Sequence, residues 1–323
     1  TMRRNFSGSR FPHLAANIRS RVDSSVPEFI KPYIIKEIKG IRFGIIGLTT
    51  VETPSVAMEA NVGPFVFLPY ETALAEFVPK MKSEGAQVII AICHICSKDL
   101  RNGYIALAES YGIDFLLGGH CHDVFSSAGP AVVMETGYGL SNYGLIEAEF
   151  NPSTGKIESK SANVKKLGAA APENSAKAVV RKWKAETDAL LGKKIGYASR
   201  NHELYDTEIT NLILSSWLRA FPQAQIAMSN HRGFRQGIPA GDITVGTVYG
   251  ILPFENDLYM VQLTGEQILE NVEKCSPDVF GMAKRAGKWY LASGEEMQLG
   301  ASYKVVVNSF IYSGGDKFII GKY

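Results

Sequence analysis

Apolar and polar positions in the first half of the chain switch between two periods, so short strands are expected to alternate with helices. Tyr33-Ile34-Ile35-Lys36-Glu37-Ile38 alternates weakly, Lys39-Gly40 is turn-like, and Ile41-Arg42-Phe43-Gly44-Ile45-Ile46-Gly47 is an apolar run of strand length. Two such runs joined by a two-residue turn ending in glycine predict a hairpin over 33–50. The period lengthens over 69–84, where Ala73, Leu74, Phe77 and Met81 fall on one helical face and Gly85 stands at the expected end. A strand over 87–92, a polar loop, a helix over 104–111 stopped by Gly112 and a strand over 113–117 come next. Strands are also expected over 132–135 and 143–150, the second closed by the turn cluster Asn151-Pro152-Ser153-Thr154-Gly155.

This β-α-β succession predicts an α/β layered domain over 1–167. Small residues over 168–174 lead into a helix over 175–191, with Val180, Trp183, Leu190 and Leu191 on one face and Gly192 after it. The stretch 168–192 is therefore read as linker and helix. Residues 193–323 mix helices over 207–220 and 265–273 with short strands, one of them over 304–308, which predicts a second α/β domain. No internal repeat or low-complexity segment is visible.

Composition narrows the class. The 323 residues are 46% hydrophobic and 20% charged, enough apolar material for two cores. The net charge of +2 is near balance, so no nucleic-acid or membrane-surface partner is indicated. No apolar run approaches the roughly 18–20 residues that span a bilayer. The first residues lack the apolar stretch of a secretory signal. The cysteines are Cys93, Cys96, Cys121 and Cys275; one CxxC spacing with His94 inside it is no disulfide framework, so small, buried, inert thiols are expected.

Candidate chemistry sits on histidines. The chain has six, and three fall within 29 residues. His94 follows one apolar strand; His120 and His122 follow another, in Gly118-Gly119-His120-Cys121-His122-Asp123. Loops at the C-terminal ends of neighbouring strands are where α/β sheets place their sites. In an extended segment i and i+2 point to one side, so His120 and His122 are expected to face one point. Neutral imidazole is a common ligand of zinc and other transition metals.

Several segments, taken in order, resemble consecutive motifs of the 5′-nucleotidase and UDP-sugar hydrolase family. They are Phe11-Pro12-His13-Leu14-Ala15-Ala16-Asn17-Ile18, Gly47-Leu48-Thr49-Thr50-Val51-Glu52-Thr53-Pro54, Cys93-His94, and Gly118-Gly119-His120-Cys121-His122. Asn230-His231-Arg232-Gly233-Phe234-Arg235, Leu252-Pro253-Phe254 and the stretch from Asn308 to Asp316 resemble the family's C-terminal motifs. The resemblance implies a calcineurin-like metallophosphatase sandwich, here partial, joined by a helix to a mixed α/β nucleotidase domain.

It also implies two divalent metal ions, zinc or manganese, and hydrolysis of a nucleotide phosphate ester by a dinuclear metal-activated hydroxide. His94 and His120 match metal ligands of the family, and His122 falls where a second, more variable ligand is offered. The family's Asp-x-His, bridging Asp and Asn-His-Glu motifs precede the segment that here occupies 11–17. Residues 1–30 hold none of them, so the chain is expected to begin just after those ligands and after the catalytic histidine.

In the second domain Asn230 and Arg235 match the substrate motif, Arg235 as a phosphate fork. Phe254 and Phe310 match the two rings that sandwich the nucleobase. Gly314, Gly315 and Asp316 match the glycine turn and the acid that binds the ribose hydroxyls. His231 and Arg232 depart from the family's small residue and glycine, and Tyr205 stands where an arginine helps hold phosphate. The expected partner is thus a nucleotide or nucleoside. The alternative expectation is a non-catalytic remnant that binds one. Family members are often secreted, periplasmic or at the cell surface. Oligomeric state is not legible.

Overall fold

After a short strand β1 (Ile18–Ser20), the chain forms the hairpin expected over 33–50 from β2 (Tyr33–Ile38) and β3 (Ile41–Thr49), with Ile38 opposite Ile41. Lys39 and Gly40 have φ of 51° and 80°, the positive values a type I′ turn demands at both central positions. The structure is a computed structural model and describes Phe6, residues 8–168 and residues 173–320; most of the expected 168–174 linker lies outside the described residues. Two compact units result: Thr1–Pro54 with Glu59–Ala170, and Ser55–Met58 with Ala171–Tyr323.

In the first unit β4 (Phe65–Phe67) pairs antiparallel with β1. β5 (Val88–His94), β6 (Phe115–Leu117), β7 (Val124–Ser127) and β8 (Val132–Thr136) complete a sheet of order β2-β3-β5-β6-β8-β7. β3, β5, β6 and β8 run parallel, and β2 and β7 are antiparallel edges. The helix Tyr70–Ser83 covers one face, burying the expected Ala73, Leu74, Phe77 and Met81 in one cluster with Ile46, Ile89 and Val133. A long hairpin of β9 (Asn142–Asn151) and β10 (Lys156–Lys166) covers the other, with Ile146, Phe150 and Ile157 on Val88, Phe115 and Val132. Burial on both faces explains why the inner strands read as continuous apolar runs instead of alternating.

The segment before β1 is stitched to the sheet. A Cβ on Gly47 would collide with the Leu14 backbone, so glycine lets that segment lie directly on β3. The fully buried Asn17 amide donates to the Thr49 and Leu68 carbonyls at 2.8 and 3.2 Å and accepts from the Thr49 N–H at 3.0 Å. The helix expected over 104–111 is Ile105–Tyr111, preceded by a π-helical turn, Leu100–Tyr104, and ended by Gly112 at φ 67°.

In the second unit, β11 (Lys194–Ala198) pairs with β13 (Gly241–Thr244). β12 (Ile226–Ser229), β14 (Leu258–Thr264), β15 (Asp278–Phe280) and β18 (Ser302–Asn308) form a sheet of order β14-β18-β12-β15; β16 (Met282–Arg285) and β17 (Lys288–Leu291) make a separate hairpin. Strand period two divides the core between the sheet's faces. Ile226, Met228, Val305 and Val307 join Ile268 of the helix Gly265–Cys275. Ala227 and Val306 join Ile209, Ile213, Leu214 and Trp217 of the helix Thr207–Ala220.

The helix expected over 175–191 is Asn174–Leu191, yet no residue of it is buried. Val180, Trp183 and Leu190 are 62%, 58% and 78% exposed. Amphipathic spacing thus produced the helix without a covering partner in either core. Among the described residues no helix is long and apolar enough to cross a membrane.

Candidate active site

The parallel strands β5 and β6 end side by side, with Ile92 opposite Leu117, and their exit loops carry the three expected histidines. His94 is the last residue of β5. His120 lies three residues beyond β6, and its Nδ1 stands 3.1 Å from His94 Nε2. Two ring nitrogens sharing a tetrahedral cation at about 2.0–2.1 Å are roughly 3.3 Å apart, so this pair fits two ligands of one divalent ion.

His122 does not join them. The loop is not extended: His120 and His122 have φ of 77° and 63°, which removes the i, i+2 alignment expected from an extended segment. The His122 ring stacks on Tyr138 instead, with centroids 5.1 Å apart. His94, His120 and His122 therefore form no three-donor cluster. Among the described residues, the group of three or more such donors with ligand atoms within 4.8 Å of one another is His202, Asp206 and Glu208 in the second unit. There Arg200 lies 2.6 Å from Glu208 and 3.7 Å from Asp206, so a cation already serves both carboxylates.

Three ties hold the two histidine loops together. Gly119 N–H donates to the Ile95 carbonyl at 3.0 Å. Cys96 and Cys121 form a disulfide, with Cα atoms 5.0 Å apart, contrary to the inert thiols expected. The single CxxC misdirected the sequence reading, because the partner of Cys96 is 25 residues away on the neighbouring loop. The third tie is Glu135, 1% exposed, whose carboxylate accepts from Ser97 N–H at 2.7 Å and Asp123 N–H at 3.1 Å. Nothing was assigned to Glu135 from sequence; an acid ending the apolar run Val132-Val133-Met134 was the signal available. Burial, then the neighbouring His120 and His122, hold the His94 imidazole below its ordinary range, and Glu135 opposes them. Cys93 behaves as expected: burial pushes its thiol up to about 12.

In the second unit, β12 and β18 run parallel and end together, and β14 starts at the same edge with Leu258 opposite Asn308. The matched substrate residues gather here. Asn308 donates to Asn230 Oδ1 at 3.1 Å, and Asn230 donates to Asp316 Oδ2 at 3.1 Å. Gly314 has φ of 86°, and a Cβ on Gly315 would come within 2.5 Å of the Phe310 ring, so both glycines of the turn are conformationally required. The Arg235 guanidinium lies 5.6 Å from the Phe254 ring centroid. Ser309 joins the two aromatic loops, accepting from Asp257 N–H at 3.2 Å and donating to Asn256 Oδ1 at 2.9 Å. A cavity of about 170 Å³ opens beneath, lined by Trp217, Gly233, Leu252, Phe254, Leu258 and Asn308.

Two departures from the family pattern meet. Tyr205, at φ 68°, stacks on His231 with centroids 4.2 Å apart and planes 20° apart. His231 Nδ1 faces Asp278 Oδ1 at 3.2 Å. Burial raises the Asp278 carboxyl, and His231 opposes the shift.

Residues 184–289 match the model of the 5′-nucleotidase C-terminal domain. The Bacillus subtilis endonuclease YhcR is 26% identical over 95% of this chain and 27% of its own length. The trifunctional nucleotide phosphoesterase protein YfkN of the same organism is 26% identical over 98% of this chain and 25% of its own. The chain thus spans about a quarter of these two relatives. The crystal structure of a 5′-nucleotidase precursor from Thermus thermophilus superposes with a TM-score of 0.82 at 24% identity, covering 98% of this chain and 72% of that one. With its mixed α/β fold and its motifs in family order, the chain is similar over nearly its whole length to 5′-nucleotidases, and its residues 184–289 match that family's C-terminal domain.

Proposed function

We propose that this chain takes part in metal-dependent hydrolysis of nucleotide phosphate esters. The observation that carries the reading is the approach of His94 Nε2 and His120 Nδ1 to 3.1 Å at the C-terminal edge of a parallel sheet. His94 and His120 would hold a divalent ion, zinc or manganese, with His122 as the variable third imidazole once turned from Tyr138. Such an ion, when bound, polarises a phosphoryl oxygen and lowers the pKa of bound water. The chain's own residues orient the ligand. Arg235 offers a fork to phosphate. Phe254 and Phe310 offer faces to the base, and Asp316, held by Asn230, accepts from ribose hydroxyls. Gly314 and Gly315 give the turn that packs against the Phe310 ring and leads into Asp316.

Phosphate release from AMP by the full chain with zinc or manganese is the test. Release that stops with chelator and with His94→Ala supports the reading; a metal-loaded chain inert on a nucleotide panel contradicts it. A second reading, a non-catalytic nucleoside-binding protein, is favoured by the intact Asn308–Asn230–Asp316 network in the second unit. It expects adenosine binding without turnover. Loss of one stacked base contact in Phe310→Ala would then cost about 1–3 kcal/mol of adenosine affinity by calorimetry.

A further inference from the structure

The Cys96–Cys121 disulfide sits where two observations about the histidine loops converge. Cys96 is two residues after His94, and Cys121 stands between His120 and His122. Both of those histidines hold positive φ, a conformation that side-chain-bearing residues keep only when their surroundings impose it. At Cys121 the surroundings include a covalent bond to the neighbouring loop. Cys96 is buried and begins the helix Ser97–Asp99, whose Ser97 N–H is anchored on Glu135. The bond therefore ties a fixed point to the one loop that must bend to bring His120 onto His94. Cys121 is exposed, so a small reductant reaches it.

We propose that Cys96 and Cys121 are positioning residues for the His94–His120 pair, and that opening their disulfide weakens cation binding there. The proposal rests on the metal reading given above. Reduction by a thiol such as glutathione breaks the Sγ–Sγ bond and delivers two electrons and two protons. Two protein thiols form, and the reductant leaves as its own disulfide. The 120–122 segment then relaxes toward extended backbone, and the His120 ring leaves His94.

Calorimetric titration of Zn²⁺ into the full, oxidised chain is compared with Cys96→Ser/Cys121→Ser, which leaves no thiol at either bridge position, and with His94→Ala. Residues that orient metal ligands cost roughly 10–100-fold in affinity when lost, so the double variant is expected to bind zinc about tenfold or more weakly. Near-UV circular dichroism matching the parent shows that its core has survived. Mn²⁺, a cation that thiols serve poorly, is titrated into the wild-type chain before and after reduction, and the same loss is expected. Equal affinities for the oxidised chain and the double variant, both lost in His94→Ala, overturn the proposal alone. Binding that His94→Ala leaves unchanged overturns the metal reading and the proposal with it.

Discussion

At the residue scale, His94 is the most informative side chain. Burial and its imidazole neighbours favour the neutral ring, the form that ligates metal. The sign of the resulting pH dependence is fixed. The folded imidazole titrates below the ordinary 6.5, so its contribution to stability is intact above that value. The contribution is lost as pH falls and the unfolded chain takes up the proton first. NMR titration of the metal-free protein in chelator should place the His94 midpoint below that of an exposed histidine; a midpoint at or above it contradicts the burial. Glu135 is the other decisive residue. Its carboxylate takes one N–H from each histidine loop, and hydrogen bonds to charged groups contribute about 1.5–3 kcal/mol. Glu135→Ala should lose about that amount or more in urea unfolding, and an unchanged midpoint would remove Glu135 from the frame of the site.

At the element scale, period was a good guide wherever one element met one environment. The helices Tyr70–Ser83 and Thr207–Ala220 follow from spacing, because each presents a single apolar set to a single core; the hairpin at 33–50 follows from its two-residue turn, since β3 meets apolar clusters on both faces. Spacing failed in the loop at 118–123. Two histidines there adopt positive φ under constraints supplied by residues 95–97 and 135, and no local pattern encodes a contact made across the sheet. The disulfide escaped for the same reason. The exposed face of Asn174–Leu191 shows the converse, a pattern that was read correctly and has no partner in the described cores. Between elements, the contact of Gly47 with the Leu14 backbone predicts that Gly47→Ala is destabilising. Overpacking of this kind costs about 1–3 kcal/mol. Thermal unfolding of the variant should fall accordingly, and a parent-like transition would show that the segment before β1 can lift from the sheet.

At the scale of the whole molecule, function divides as the cores do. One unit carries the histidine pair, the other the network of Asn308, Asn230 and Asp316. A ligand that binds only the folded state raises the transition of the unit that holds it. Scanning calorimetry should therefore show adenosine acting on the second unit and zinc on the first. Both residue sets were legible because family motifs carry them. What motifs left out were Glu135, the disulfide, and the stacking of Tyr205 on His231, each of which depends on a neighbour distant in sequence. The most direct measurement is zinc anomalous scattering from crystals of the full chain. A peak within bonding distance, about 2 Å, of both His94 Nε2 and His120 Nδ1 is expected. A peak confined to His202, Asp206 and Glu208, or none at the histidine pair in zinc-soaked crystals, would contradict the metal site on which the proposed function stands.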